Sequence, residues 1–167
     1  VAPPPNHLNS NRKNLRAALQ TPEDATVIVQ VGRMERDKGH AFHLEALAQL
    51  KESPNWVCWQ VGGAHRLSET SYLGALKRRA KELGISDRVR FLNERTDIEE
   101  LIAAADIYCQ PNSAPDSFGI TFVEAMHAGL PVITCDIGGP REIVDNTCGI
   151  LIPPGAARKL LSALSRL

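Results

Sequence analysis

Strand-length apolar runs alternate with amphipathic helical patterns almost from one end of this chain to the other, and that alternation limits its fold more than any other feature. The runs are Thr26–Val31, Trp56–Val61, Arg88–Leu92, Asp106–Cys109, Pro131–Thr134 and Gly149–Ile152. Between and around them lie helical patterns over Asn11–Leu19, Lys38–Lys51, Glu69–Leu83, Asp97–Ala104, Gly119–Ala128, Pro140–Val144 and Ala156–Arg166. Short continuous apolar strands separated by helices imply a parallel sheet covered on both faces, because parallel neighbours require a crossover. The expected fold is therefore α/β, a doubly wound, Rossmann-like parallel sheet of about six strands. Gly84 and Gly129 fall where helices should stop. Asp97 with Glu100 has the spacing of a capping box.

A length of 167 residues suits one domain with one core. The proline-rich opening reads as an extended linker, so residues 1–10 are assigned to a linker and 11–167 to the domain. Nineteen basic residues balance nineteen acidic ones, so no net field draws the chain to nucleic acid, and any anion site must be local. Cys58, Cys109, Cys135 and Cys148 are spaced neither as zinc ligands nor as a disulfide framework. They read as reduced thiols and favour a cytoplasmic setting. No apolar run is long enough to span a membrane, and no signal peptide is expected.

Ligands of such sheets sit beyond the carboxyl ends of the strands, so the residues after each strand carry the functional information. After the first strand come Gly32 and Arg33, then Lys38 and Gly39: a glycine at the strand tip and two spaced cations. This is neither a Walker A loop nor G-x-G-x-x-G, and taken alone it fits a charged, solvated turn as well as a phosphate loop. After the fourth strand, a helix starting near Gly119 would aim the amides of Gly119, Ile120 and Thr121 at an anion. Glu124, inside that helix within an apolar run, is either a residue of the polar face or an acceptor for ribose hydroxyls.

Asp116 and Glu124 bracket Ser117-Phe118-Gly119-Ile120-Thr121, and the segment continues through Ala125-Met126 to Gly129-Leu130-Pro131-Val132-Ile133. This run resembles the signature of the large retaining glycosyltransferase family of GT-B fold, glycosyl transferases group 1. The resemblance takes in Gly32-Arg33 with Lys38-Gly39, Ala103-Ala104-Ala105-Asp106, Gly138-Gly139-Pro140-Arg141-Glu142 and the stretch from Gly149 to Gly155. It implies the donor-binding, C-terminal half of such an enzyme, whose acceptor-binding N-terminal domain would precede Val1.

By that resemblance Arg33 and Lys38 bind the donor diphosphate, with Gly32 at the loop's start. The amides from Gly119 to Thr121 hold the distal phosphate, Glu124 binds the ribose, and Asp116 faces the transferred sugar beside Ser117 and Phe118. Arg95, in the loop after the third strand, is a candidate for the base; an exposed arginine there is also simply solvated. The sequence departs from the family at Asp116, where glutamate is usual, and at Ser117, where glycine is usual. Identity of the donor hexose therefore does not carry over.

The resemblance further implies a nucleoside-diphosphate sugar as substrate, UDP- or GDP-linked, with retention of anomeric configuration, no cofactor and no metal. Nothing in it calls for a nucleic-acid partner, and peripheral membrane contact of a longer protein stays open. Two other functions fit such a sequence: a catalytically inactive nucleotide-sugar-binding module, and a Rossmann dehydrogenase domain, which the absent G-x-G-x-x-G disfavours.

Overall fold

In the computed structural model, residues 6–53, 55–115 and 119–166 are described. The elements run α1 (Asn6–Ala18), β1 (Thr26–Val31), a 3-10 turn (Arg36–Lys38), α2 (His40–Ala48), β2 (Trp56–Val61), α3 (Leu67–Glu82) and β3 (Val89–Asn93). They continue with α4 (Ile98–Ala104), β4 (Ile107–Gln110), α5 (Ile120–His127), β5 (Val132–Cys135), α6 (Pro140–Ile143), β6 (Gly149–Ile152) and α7 (Ala157–Leu164). The strands form one sheet in the order β3-β2-β1-β4-β5-β6. Every pairing is parallel. Strand order thus reverses between β1 and β4, the Rossmann switch point where a crevice opens at the carboxyl edge.

Period-two alternation assigns the faces. Val27, Val29 and Val31 of β1 pack with Leu101, Phe122 and Leu15 on the side of α1, α4 and α5. Ile28 packs with Leu44, Leu76 and Leu160 on the side of α2, α3 and α7. Cys58, Cys109 and Cys135 are free and buried, as expected of core thiols. Burial pushes the Cys58 thiol up to about 12, so it is unreactive at neutral pH.

Two expectations shift. Helix α1 begins at Asn6 rather than Asn11, so the assigned linker is helical from its sixth residue; Val1–Pro5 lie outside the described residues. The helix is anchored to the sheet by Arg12 and Arg16, which both pair with Asp106, and its first turns continue N-terminal to that anchor. Asp97 stands at the N-cap of α4 but makes no side-chain cap, because Arg95 holds its carboxylate through bonds of 2.8 and 2.6 Å. The helix stops at Gly84 and Gly129 are both left-handed, as their positions required.

Candidate nucleotide-sugar site

The loops after β1 and β4 flank the switch point, and they are latched to each other. Ser113 N–H donates to the Asp37 carbonyl at 2.9 Å. Gly39 has φ 72°, and a Cβ there would lie 1.9 Å from the Pro111 carbonyl oxygen, so only glycine lets the loops approach this closely. Lys38 folds back over the first loop, its Cγ 3.5 Å from the place a Cβ on Gly32 would occupy. Gly32 and Lys38 are therefore brought together at the strand tip, next to Gln110 of β4.

Helix α5 follows β4, and Tyr108 ties Thr121 of its first turn to the tips of β1 and β4. Gly119 is its N-cap, left-handed at φ 78°, and no side chain caps it among the described residues. Its opening amides and dipole are thus available to an anion. The first turn is held from below by Tyr108, whose hydroxyl lies 2.7 Å from Thr121 Oγ1, 2.9 Å from Gln110 Oε1 and 3.2 Å from the Val31 carbonyl. Burial raises the Tyr108 pKa, so the hydroxyl keeps its proton and can donate to one of these oxygens while Thr121 donates to it. The Tyr108 ring also packs edge-on against Phe122, centroids 5.3 Å apart.

The remaining sequence candidates spread outward from this point. Glu124 is half-buried and lines a hollow of about 430 Å³ with Thr96, Ile98, Glu99 and Glu100, beside the opening turn of α4. Arg33 does not line that hollow; its side chain is 56% exposed and pairs with Glu35 at 2.9 Å. Arg95 is turned onto Asp97. Asp116, Ser117 and Phe118 lie outside the described residues. Among the described residues, no group of three His, Cys, Asp or Glu side chains is arranged as metal ligands. No described helix is long and apolar enough to cross a membrane.

Sequence reasoning passed over a polar layer beneath the first loop. Gln30 and Gln60 are register partners on β1 and β2, and with His40 and His43 of α2 they are fully buried. Gln30 Nε2 donates to the Lys38 carbonyl at 2.7 Å, and its Oε1 accepts from His43 Nδ1 at 2.8 Å. His40 Nε2 lies 3.0 Å from the Arg33 carbonyl, and its Nδ1 lies 2.6 Å from Gln60 Oε1. One available signal was a glutamine at the same place in each of two fully buried strands, TVIVQV and WVCWQV.

A doubly wound parallel sheet with a glycine- and lysine-bearing loop after β1 and a helix start after β4 at its switch point defines a Rossmann-like α/β domain. The chain belongs to the family described as Glycosyl transferases group 1, which matches residues 11–167. It is 37% identical over 145 residues to D-inositol 3-phosphate glycosyltransferase of Mycobacterium leprae, covering 85% of this chain and 33% of that protein. The chain thus spans about a third of the length of such relatives. The crystal structure of Anabaena Alr3699/HepE in complex with UDP and glucose superposes with a TM-score of 0.88 at 33% identity, over 94% of this chain and 42% of that one. The fold of the C-terminal domain of a Francisella tularensis glycosyl transferase group 1 protein is also matched, with a TM-score of 0.80 at 24% identity. It covers 98% of this chain and 83% of that one. Family membership sets the dehydrogenase reading aside, and the chain is a glycosyltransferase domain of GT-B type with a Rossmann-like sheet.

Proposed function

We propose that this domain binds the nucleoside-diphosphate sugar of a retaining hexosyltransferase and that a preceding N-terminal domain of the longer protein supplies the acceptor. The observation that carries the reading is the latched pair of loops at the switch point. Supporting it are the proximity of Lys38 to Gly32 and Gln110, and the tie from Tyr108 to Gln110 and to Thr121 in the first turn of α5. The solved complexes of HepE with UDP and UDP-glucose support it, at 33% identity.

Cleavage of a sugar–phosphate bond leaves negative charge on the nucleoside diphosphate, so stabilising that charge is the main electrostatic task. Lys38, Arg33 and the amides of Gly119, Ile120 and Thr121 meet it. Arg33 exchanges its half-buried partner Glu35 for phosphate oxygens, which its guanidinium can bind in bidentate fashion. Glu124 accepts the ribose hydroxyls at the mouth of the hollow it lines, which places the base towards Thr96 and Ile98. Asp116 contacts the transferred sugar. No resident metal or cofactor is required in this scheme, and the buried free thiols favour a cytoplasmic setting.

Calorimetry of the chain with UDP-, GDP- and ADP-sugars, with and without a chelator, tests the reading. Binding of one of them, unaffected by the chelator, is expected. A folded sample that binds none would overturn it.

A further inference from the structure

Four polar side chains sealed in the core of a parallel sheet need a reason, because apolar residues of similar size would pack there without desolvation cost. Stability does not supply one. The layer is imperfectly satisfied, since His43 Nε2 is buried with no hydrogen-bond partner among the described residues. Its outward contacts are selective. Two main-chain groups of the loop after β1 are bonded from this layer: the carbonyl of Arg33 by His40, and the carbonyl of Lys38 by Gln30. These belong to the two cations assigned to the donor diphosphate.

We infer that His40 and Gln30 are positioning residues for donor binding, clamping the Arg33–Lys38 loop from beneath so that its cations meet a diphosphate already in place. The inference rests on the reading under Proposed function and extends it to residues that never touch the substrate.

The hydrogen-bond chemistry fits a fixed clamp. His43 donates from Nδ1 to Gln30 Oε1, which leaves Nε2 as a bare lone pair and the ring neutral. Burial, and then the neighbouring His40, push its pKa down to about 3. With its Oε1 occupied by that N–H, Gln30 has one orientation, Nε2 towards the Lys38 carbonyl at 2.7 Å. In the second arm Gln60 Nε2 donates to Gln30 Oε1 at 3.2 Å, and His40 sits between two oxygens, its Nδ1 2.6 Å from Gln60 Oε1 and its Nε2 3.0 Å from the Arg33 carbonyl; the neutral ring donates its single N–H to one of them at a time. Strands β1 and β2 supply the rigid footing, with Gln30 and Gln60 directly paired in register. A loop held at both cationic residues loses less conformational freedom when the ligand binds.

The test compares a nucleoside diphosphate with its monophosphate, using whichever of uracil, guanine and adenine the wild-type chain prefers. A clamp on the diphosphate loop acts on the second phosphate's share of affinity, whereas general loosening weakens both ligands alike. In His40→Phe and in Gln30→Leu the diphosphate-to-monophosphate affinity ratio should fall about tenfold. His40→Gln, which keeps an N–H donor, should recover part of that ratio. Should His40→Phe not fold, Gln30→Leu reads the same ratio through the Lys38 carbonyl alone. Wild-type binding with an unchanged ratio in folded variants overturns the clamp and leaves the donor-binding reading standing. No wild-type binding to any nucleoside diphosphate overturns both.

Discussion

The two ends of the sheet use the same ionic chemistry for opposite purposes. At the amino end, Asp106 accepts from the Val27 amide at 2.7 Å, from Arg16 at 2.7 Å and from Arg12. Arg16, with 3% of its side chain exposed, also donates to the carbonyls of Ala104, Glu23 and Ala25. Burial alone would raise the Asp106 pKa, but the Val27 amide and the two guanidinium groups hold it below the ordinary carboxylate range. At the carboxyl end, Arg33 has one surface carboxylate for a partner. Where the guanidinium groups are spent on carbonyls and a carboxylate, charge fastens a helix to a sheet; where charge stays in solvent reach, an incoming anion can claim it.

The sharpest way to break that contrast is Asp106→Ala. It strands the buried Arg16 guanidinium and should cost about 3–5 kcal/mol in urea unfolding, while nucleotide affinity of the folded protein stays within about twofold. A comparable loss of affinity would merge the two ends into one system.

A pH series separates them next. Because the folded pKa of His43 is lowered to about 3, the unfolded chain binds the extra proton as pH falls from about 6.5, and stability falls with it. His40, also lowered chiefly by burial, acts in the same direction. Asp106, a depressed carboxylate, gives stability that is full above its unfolded pKa and is lost only below about 3.8. Between pH 7 and 5 the carboxyl-end layer should respond most, with about 2 kcal/mol from His43 alone, and His43→Asn should remove that share and leave the part due to His40. An unchanged slope in that variant, followed by urea midpoints, would place the titration elsewhere.

Arg33→Ala should show the reverse pattern to Asp106→Ala. Calorimetry should read about tenfold weaker diphosphate binding, or about 1.4 kcal/mol, with stability changed by no more than about 0.5 kcal/mol. The smallest effect is expected at Glu124→Gln: about threefold weaker binding of the ribonucleotide and none for its 2′-deoxy analogue. Equal losses for both would remove Glu124 from the ribose.

Much of the fold was legible because strand–helix alternation is written in local hydrophobicity. The bounds of β1, β2 and β6 agree with the apolar runs residue for residue. What escaped depended on distant partners. The docking of α1 depends on Asp106, some ninety positions away in sequence from Arg12 and Arg16, and the missing cap at Asp97 depends on a guanidinium two residues back. At the candidate site, Gly32, Lys38 and Gly119 stood out by their places after strand ends, and the structure brings Gly32 and Lys38 together at the tip of β1. The supporting Gln30, Gln60, His40 and Tyr108 were not, since a polar residue in an apolar run declares its purpose only when its neighbours are known.

The contact of Gly39 with Pro111 acts as a width gauge for the crevice. With no atom to spare between the two loops, a single added methyl would serve as a wedge, prying the cationic side from the helical side. Neither loop can be remodelled for a bulkier or slimmer ligand on its own, so any change of donor has to be negotiated by both together.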